Sequence, residues 1–145
     1  MAGELATVGY EAQTQGEVID RLKAAGVEIV IDVRAVAASR RAGFSKTLLA
    51  ASLKDAGIDY LHLRALGTPK PGREAARAGR TREMTAIFEA HLAEPEAQLA
   101  LAHATEIAAA RRTALLCYEA DAAGCHRRIV AERIRAQTGQ SVVDL

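Results

Sequence analysis

The stretch LATVGYEAQTQGEVIDRLKAAGVEIVIDV, residues 5–33, begins and ends in short apolar runs that contain most of its Val and Ile. Runs of this length and composition, at 5–9 and 28–33, are typical of buried β-strands. Between them, Val18, Ile19 and Leu22 recur at the spacing of one helix face. The stretch therefore predicts a strand, a helix and a second strand that returns parallel to the first by a right-handed crossover.

The same alternation continues to the end of the chain. Apolar runs predict further strands at 60–63, 113–118 and 142–145. Four more helices are predicted, from Ser45 to about Gly57 and at 81–92, 96–111 and 125–137, the last of them stopped by Gly139. We therefore expect one α/β domain over residues 1–145. It is expected to be three-layered and Rossmann-like or flavodoxin-like, with helices on both faces of a mostly parallel sheet.

The segment that follows the third strand differs from the rest of the chain in composition. Residues 64–80 read RALGTPKPGREAARAGR, and the Gly, Pro and Arg content of 64–82 predicts a mobile functional loop. Residues 34–82 contain eleven Lys or Arg and three Asp or Glu, a net charge of +8 in a chain whose formal charge is +1. A solvated basic face is the ordinary meaning of such a segment. Because it borders the predicted site, it favours a phosphate- or carboxylate-bearing ligand.

The composition excludes several classes of partner. Of the 145 residues 32 are Ala and only five are Tyr or Phe, with no Trp, so the chain lacks the aromatic side chains on which many RNA and single-strand binders stack bases. A net charge of +1 gives no overall attraction to nucleic acid or to an acidic membrane. No apolar run approaches the roughly 18 residues needed to cross a bilayer, and no signal peptide is recognisable. We expect a cytoplasmic protein with no membrane partner, and a small anionic ligand rather than a nucleic acid.

Reactive side chains are concentrated where the predicted strands end. In an open parallel sheet, ligands bind beyond the carboxyl ends of the strands because loops and helix N-termini meet there. Residues from three separate stretches are expected at this edge: Gly9, Tyr10 and Glu11; Asp32, Arg34, Ser39 and Arg40; and Cys117, Glu119, Cys125, His126 and Arg127. The residues expected to bind an anion are Arg34, Ser39, Arg40 and Arg127.

The segment CYEADAAGCHRR, residues 117–128, contains both cysteines of the chain. It leads from a strand into a helix, so Cys125 is expected at a helix N-terminus, where backbone N–H groups and the helix dipole lower the pKa of a thiol. Cys125 or Cys117 is the predicted catalytic nucleophile or redox centre, although Cys117 in an apolar strand also fits a simple core residue. Neighbouring helical residues point about 100° apart, which makes Cys117 or Glu119 a better partner for Cys125 than His126 unless the turn is irregular.

Asp32 and Arg34 lie two residues apart on one face of a strand, near its end. This spacing fits two alternatives equally well, a general base beside an anion-binding guanidinium or an ion pair that ends the strand. Glu119 is the other carboxyl group that we expect to transfer protons.

Cys117, Cys125 and His126 also suggest a metal site as an alternative. With Glu119 or Asp121 as an oxygen ligand, they offer the sulfur, nitrogen and oxygen donors that zinc accepts. The spacing differs from that of zinc fingers and ribbons, and the sequence has no second paired-cysteine motif. Because it also has no P-loop, no glycine-rich dinucleotide motif and no G-x-S-x-G turn, no organic cofactor is predicted.

Several motifs occur in order along the chain: TVGYE at 7–11, DVR at 32–34, SR at 39–40, FSK at 44–46, LG at 66–67, and LLCYE followed by CHR. Together they resemble the family of unknown function numbered 488, and the Cys-x-Glu then Cys-His-Arg block is the most specific part. The resemblance implies a compact α/β domain with these motifs around one site, but no particular activity. By this resemblance, the positions of the family's motifs correspond in this chain to Gly9, Asp32, Arg34, Ser39, Arg40, Gly67, Cys117, Glu119, Cys125, His126 and Arg127. Ala37, where the family often has Pro, and Thr68, in place of a second glycine, depart from the pattern and affect the expected loop geometry.

Three functions follow as hypotheses. The first is a small enzyme that uses Cys125 or Cys117 on an anionic substrate, with Asp32 or Glu119 moving protons. The second is a non-catalytic module that binds a nucleotide, a nucleic-acid end or the acidic segment of a partner protein. The third is a metal-binding protein built on Cys117, Cys125 and His126.

Overall fold

The alternating strands and helices form a parallel sheet covered on both faces, as a computed structural model that describes residues 3–145 shows. The strands are β1 (Leu5–Gly9), β2 (Ile29–Asp32), β3 (Asp59–His62), β4 (Thr113–Cys117) and β5 (Val142–Asp144). The α-helices are α1 (Gln15–Ala24), α2 (Lys46–Asp55), α3 (Lys70–Arg77), α4 (Thr81–Leu92), α5 (Pro95–Ala110) and α6 (His126–Thr138). Short 3₁₀ turns follow β3 and β4, at Arg64–Leu66 and Ala122–Gly124.

The strand order in the sheet is β3-β2-β4-β1-β5, and all neighbours are parallel. The predicted three-layer α/β class is confirmed. In neither of the two common doubly wound orders does the fourth strand lie between the first two, as β4 does here. Because of this order, Gly9 is the register partner of Cys117, and Asp32 that of Leu116. The ends of β1, β2 and β4 therefore meet at one edge of the sheet.

Two apolar cores lie on opposite faces of the sheet. α1 and α2 pack on one face through buried residues such as Val18, Leu22, Leu49 and Leu53. α3, α4, α5 and α6 cover the other face, where α5 is buried through the small side chains of Ala97, Ala104 and Ala108. Alanine at these positions lets α5 pack closely against α4, α6 and the 3₁₀ turn after β3, which explains how an Ala-rich chain fills its interior. In residues 3–145, no helix is both long enough and apolar enough to cross a membrane.

The predicted helix ends are confirmed at the two positions where capping residues are informative. Ser45 is the N-cap of α2, and its hydroxyl is hydrogen-bonded to the backbone of Ser39 instead of to the helix. Gly139 ends α6 with φ of 74°, in the left-handed region where glycine is favoured. Other predicted boundaries lie within two residues of the observed ones.

The predicted mobile loop at 64–82 is wrong. This segment forms a 3₁₀ turn, α3 and the start of α4. Pro71 lies in the first turn of α3, where a missing N–H leaves no hydrogen bond unmade. Gly72 is buried, and a Cβ there would lie 2.1 Å from Thr68 Cγ2 and 3.3 Å from Ile87 Cγ2. Pro71 and Gly72, which favour a loop in the sequence, therefore lie at the start of α3, and Gly72 also makes a close contact with α4.

Candidate functional site

A cavity of about 390 Å³ lies at the carboxyl edge of the sheet, beyond the ends of β1, β2 and β4. Its volume falls in the range of about 300–1,000 Å³ that is typical of small-molecule sites. The wall comes from four stretches: Tyr10; Arg34, Ala35, Val36, Ala38, Ser39 and Arg40; Thr68, Arg73, Ala76 and Arg77; and Cys117, Tyr118, Glu119 and His126. From the residues expected at this edge, the structure therefore brings together Tyr10, Arg34, Ser39, Arg40, Cys117, Glu119 and His126.

Four arginines line the cavity, and they differ in what holds them. Arg34 is buried and paired with Asp32. Arg40 and Arg77 are exposed, and the half-buried Arg73 donates from Nη1 to the Thr68 carbonyl at 2.9 Å. Within residues 3–145, no carboxylate lies within 4.0 Å of Arg40, Arg73 or Arg77. Three cationic side chains at the cavity thus lack a counter-charge from this part of the chain.

Asp32 and Arg34 form a buried ion pair, which is one of the two alternatives that their spacing allows. Asp32 Oδ1 accepts from Arg34 Nε at 2.9 Å, and Oδ2 accepts from Nη2 at 2.7 Å and from the Tyr60 hydroxyl. Arg34 Nη1 also donates to the Tyr10 hydroxyl at 3.1 Å and to the Phe44 carbonyl at 2.8 Å. Burial lowers the pKa of Arg34, but the Asp32 carboxylate and, to a smaller extent, Tyr10 together raise it more, so the net shift is upward. The pair joins the ends of β1, β2 and β3 and leaves Asp32 enclosed.

Cys117, Cys125 and His126 form a compact cluster at the inner end of the cavity. Cys117 is the last residue of β4, and Cys125 is the N-cap of α6. His126 Nδ1 lies 3.8 Å from each of the two sulfurs, and His126 Nε2 is 2.7 Å from the Val33 carbonyl. Cys125 and His126 approach each other because the backbone at Cys125 is extended, with φ of −123°, instead of helical. The expected separation of about 100° applies only within a regular helix.

The two thiols have opposite pKa shifts. Burial alone raises the pKa of Cys125. The hydrogen bond from the Cys117 thiol and the charges of His126 and Arg127 lower it by more than burial raises it, so the net shift takes the pKa well below the usual range of a thiol. The hydrogen bond to Cys125, with burial, raises the pKa of Cys117. Negative charge is therefore favoured on the fully buried Cys125, whereas Cys117 lines the cavity as a neutral thiol.

The pKa values of the ionisable side chains next to the thiols are shifted as well. Glu119 Oε2 lies 3.5 Å from Cys117 Sγ. Burial raises the pKa of Glu119 to about 7, with a further contribution from the charge of Cys125. Burial lowers the pKa of His126, but the charge and hydrogen bond of Cys125, the Val33 carbonyl and the charge of Glu119 together raise it more, so the net shift is upward. The protonation states of the groups at this end of the cavity therefore depend on one another.

Arg127 lies beneath the loop that follows β4 and does not line the cavity. Its guanidinium donates to the carbonyls of Glu119 and Ala120, and its backbone N–H lies 3.5 Å from Cys125 Sγ. Glu11 Oε1 accepts from the Ala120 N–H at 3.0 Å, which fixes the same loop from β1. Arg127 and Glu11 therefore position the segment that carries Glu119.

Ser39 and Gly67 shape the two loops at the other side of the cavity. Ser39 Oγ accepts from the Arg41 N–H at 3.1 Å. A Cβ at Gly67 would lie 2.2 Å from the backbone nitrogen of Ala35, so only glycine lets these two chain segments come so close. Thr68, which departs from the family pattern, is buried and lines the cavity. Ala37, the other departure, accepts the Lys46 N–H through its carbonyl at 2.8 Å.

Local sequence patterns do not single out two of the cavity arginines, Arg73 and Arg77. They are four residues apart and so lie on one face of a helix. That signal is readable only once 70–77 is recognised as helical, for which Pro71 in the first turn is the available clue. Tyr60 was missed as well, because its bond to Asp32 depends on the pairing of β2 with β3.

One family model matches the chain, over residues 14–134. No curated protein matches the chain, and no solved structure matches it. The matched residues include the Asp32–Arg34 pair, the arginines of α3 and the cluster of Cys117, Cys125 and His126. Since the match extends over far more than half of the sequence, the chain belongs to the family described as "Domain of unknown function DUF488".

Proposed function

We propose that the protein is a small enzyme whose cavity binds an anionic, phosphate- or carboxylate-bearing substrate beside the Cys117 thiol. The observation that carries this proposal is the set of arginines without carboxylate partners. Arg40, Arg73 and Arg77 line one cavity, and a guanidinium recognises phosphate and carboxylate through paired N–H donors. Three such groups held near each other repel one another, and a bound anion relieves that repulsion.

The size of the cavity supports a small substrate. A volume of about 390 Å³ suits a molecule of metabolite size and not a nucleic-acid duplex. The anion would be held at the rim by exposed Arg40 and Arg77 and deeper by half-buried Arg73. We expect the protein to act in the cytosol, where thiols are kept reduced.

The groups for chemistry are expected at the inner end of the cavity. Cys117 lines the cavity, whereas Cys125 is completely buried, so Cys117 is the sulfur that meets the substrate. Glu119 supplies a carboxyl group on the same wall, whereas Asp32 is enclosed by Arg34 and Tyr60. We therefore assign substrate contact to Cys117 and proton transfer to Glu119.

Anion binding is tested with inorganic phosphate. Isothermal titration calorimetry at constant ionic strength is expected to show saturable binding to the wild-type protein. Arg73→Gln should weaken it at least about tenfold, because it removes a charged hydrogen-bond donor worth about 1.5–3 kcal/mol. The matched control is Arg80→Gln, which changes the net charge equally but removes an exposed pair with Glu83. The proposal fails if the wild type shows no saturable binding, or if both variants weaken it to the same extent.

The position of the anion relative to sulfur is tested by alkylation with iodoacetamide in the presence of EDTA. The raised pKa of Cys117 slows its alkylation, but it is expected to react before Cys125 because Cys117 lines the cavity and Cys125 is completely buried. Saturating phosphate should slow the reaction of Cys117 at least about threefold. Arg80→Gln should keep this protection, and Arg73→Gln should lose it. Mass spectrometry of peptides identifies the labelled residue. Faster labelling of Cys125, or a rate for Cys117 that saturating phosphate leaves unchanged, contradicts the placement of substrate beside Cys117.

A further inference from the structure

The sulfurs and the imidazole at the inner end of the cavity are spaced like the ligands of one metal ion. The two Sγ atoms and His126 Nδ1 all lie within 4.8 Å of one another, and Nδ1 is 3.8 Å from each sulfur. Zinc bonds of about 2.3 Å to sulfur and 2.0–2.1 Å to nitrogen, in a tetrahedron, place ligand atoms about 3.5–3.8 Å apart. The nitrogen–sulfur distances thus exceed the tetrahedral spacing by only a few tenths of an ångström, and the distance between the two sulfurs exceeds it by about 1 Å at most.

The bond from His126 to Val33 orients the imidazole for metal binding. A backbone carbonyl only accepts, so His126 Nε2 carries the hydrogen in the 2.7 Å contact with Val33. In the neutral imidazole, Nδ1 then presents its lone pair toward both sulfurs. A ligand histidine whose other nitrogen donates to a carbonyl is the usual outer arrangement at protein metal sites, where it fixes tautomer and ring orientation.

The fourth position of such a site faces the cavity. Glu119 Oε2 lies 3.5 Å from Cys117 Sγ, which is the spacing of an oxygen and a sulfur on one tetrahedral ion. Cys117, Glu119 and His126 all line the cavity, whereas Cys125 is buried behind them. Three protein ligands with a fourth position open to a ligand cavity is the arrangement of catalytic zinc sites.

Groups around Cys125 favour a thiolate ligand. The backbone N–H of Arg127 lies 3.5 Å from Cys125 Sγ. The guanidinium of Arg127 is completely buried, and no carboxylate of residues 3–145 lies within 4.0 Å of it. Two thiolates, a carboxylate and a divalent ion sum to one negative charge, which the Arg127 cation balances.

From this geometry we infer that Cys117, Cys125 and His126 bind a divalent transition metal ion of the zinc type, with Glu119 or the substrate at the fourth position. Binding replaces the proton of each thiol that is still protonated and, where the imidazole is charged, the Nδ1 proton of His126, and those protons pass to solvent. Cys117 then contacts the substrate through the metal. This site goes beyond the proposed function and does not depend on it, because none of the cavity arginines is a ligand.

The test uses cobalt(II) as a spectroscopic substitute for zinc. The full-length protein, stripped of metal and kept reduced, is titrated with Co²⁺. It should bind one ion per chain, with a near-ultraviolet charge-transfer band from cobalt–thiolate bonds and the intense visible bands of a tetrahedral ion. Added Zn²⁺ should displace it. Cys117→Ser and His126→Gln are each expected to weaken binding at least about 100-fold, more than changes outside the ligand set typically do. The control His103→Gln, on the exposed face of α5, should bind as the wild type does.

Glu119→Gln keeps the result interpretable if a buried-ligand variant does not fold. Its side chain is only partly buried, and it should retain the cobalt–thiolate band while the visible bands change. Absence of a thiolate band at stoichiometric Co²⁺ in the reduced wild type, or a band of unchanged intensity at the same Co²⁺ concentration in Cys117→Ser, would falsify the inference. The protection of Cys117 by phosphate is measured in EDTA, and the calorimetry with phosphate is to be run in EDTA as well, so failure of the metal site and failure of the anion site are seen separately.

Discussion

Replacing Asp32 by Asn will lower the free energy of unfolding by about 3–5 kcal/mol, because it leaves a buried guanidinium without its counter-charge. Asp32 is 0% exposed and Arg34 is 4% exposed, so water cannot replace the lost carboxylate. A guanidinium does not deprotonate in proteins, and the cation therefore persists in the folded state. Since domains of this size have total stabilities of about 5–15 kcal/mol, the loss is large enough to move the midpoint of chemical denaturation clearly.

The matched control for this substitution is Asp59→Asn. Asp59 forms the same kind of pair with Arg111 Nη2, at 2.8 Å, but its side chain is 68% exposed. Exposed pairs contribute about 0–1 kcal/mol, so this variant should unfold close to the wild type. The double variant Asp32→Asn, Arg34→Met should be more stable than Asp32→Asn alone, because it removes the unpaired cation as well. Equal costs for Asp32→Asn and Asp59→Asn would show that the buried pair does not stabilise the fold as argued.

The fold class was predictable from the sequence because it depends on local patterns. The apolar runs at 5–9 and 28–33 and the helical spacing at Val18, Ile19 and Leu22 describe single elements, and alternation of such elements implies a parallel sheet. The strand order was not predictable in the same way. β4 enters between β1 and β2 through contacts between residues more than eighty positions apart, for which local periodicity contains no signal.

The site was predictable only in part for the same reason. Strand ends correctly indicated the edge at which Tyr10, Arg34 and Cys117 meet. The role of Arg34 depends on its bond to Asp32, and that of Arg127 on the carbonyls of a loop eight residues back, which only the folded chain shows. The prediction of a loop at 64–82 also concealed the arginines of α3. Proline breaks the interior of a helix but is favoured in its first turn, so its presence alone does not distinguish a loop from the start of a helix.

Replacing Gly9 by Ala is expected to lower the free energy of unfolding by about 3 kcal/mol, at the upper end of ordinary overpacking costs. A Cβ at Gly9 would lie 1.7 Å from the carbonyl oxygen of Glu119, 2.5 Å from its carbon and 3.1 Å from Ala120 Cα. All three are backbone atoms, so no change of side-chain rotamer relieves the overlap. Either β1 or the loop after β4 has to move, although both are held by the β1–β4 pairing and by Arg127.

Gly16→Ala is the same substitution at another position, but we expect it to raise the free energy of unfolding. Gly16 is in the first turn of α1, and no atom lies within 4 Å of a Cβ placed there. Alanine restricts the unfolded chain and suits a helix better than glycine, so this variant should gain up to about 1 kcal/mol. Urea denaturation of both variants measures the two changes in the free energy of unfolding, which should be opposite in sign. A Gly9→Ala protein as stable as the wild type would mean that the loop after β4 yields freely, in which case Glu119 is not held where the candidate site requires it.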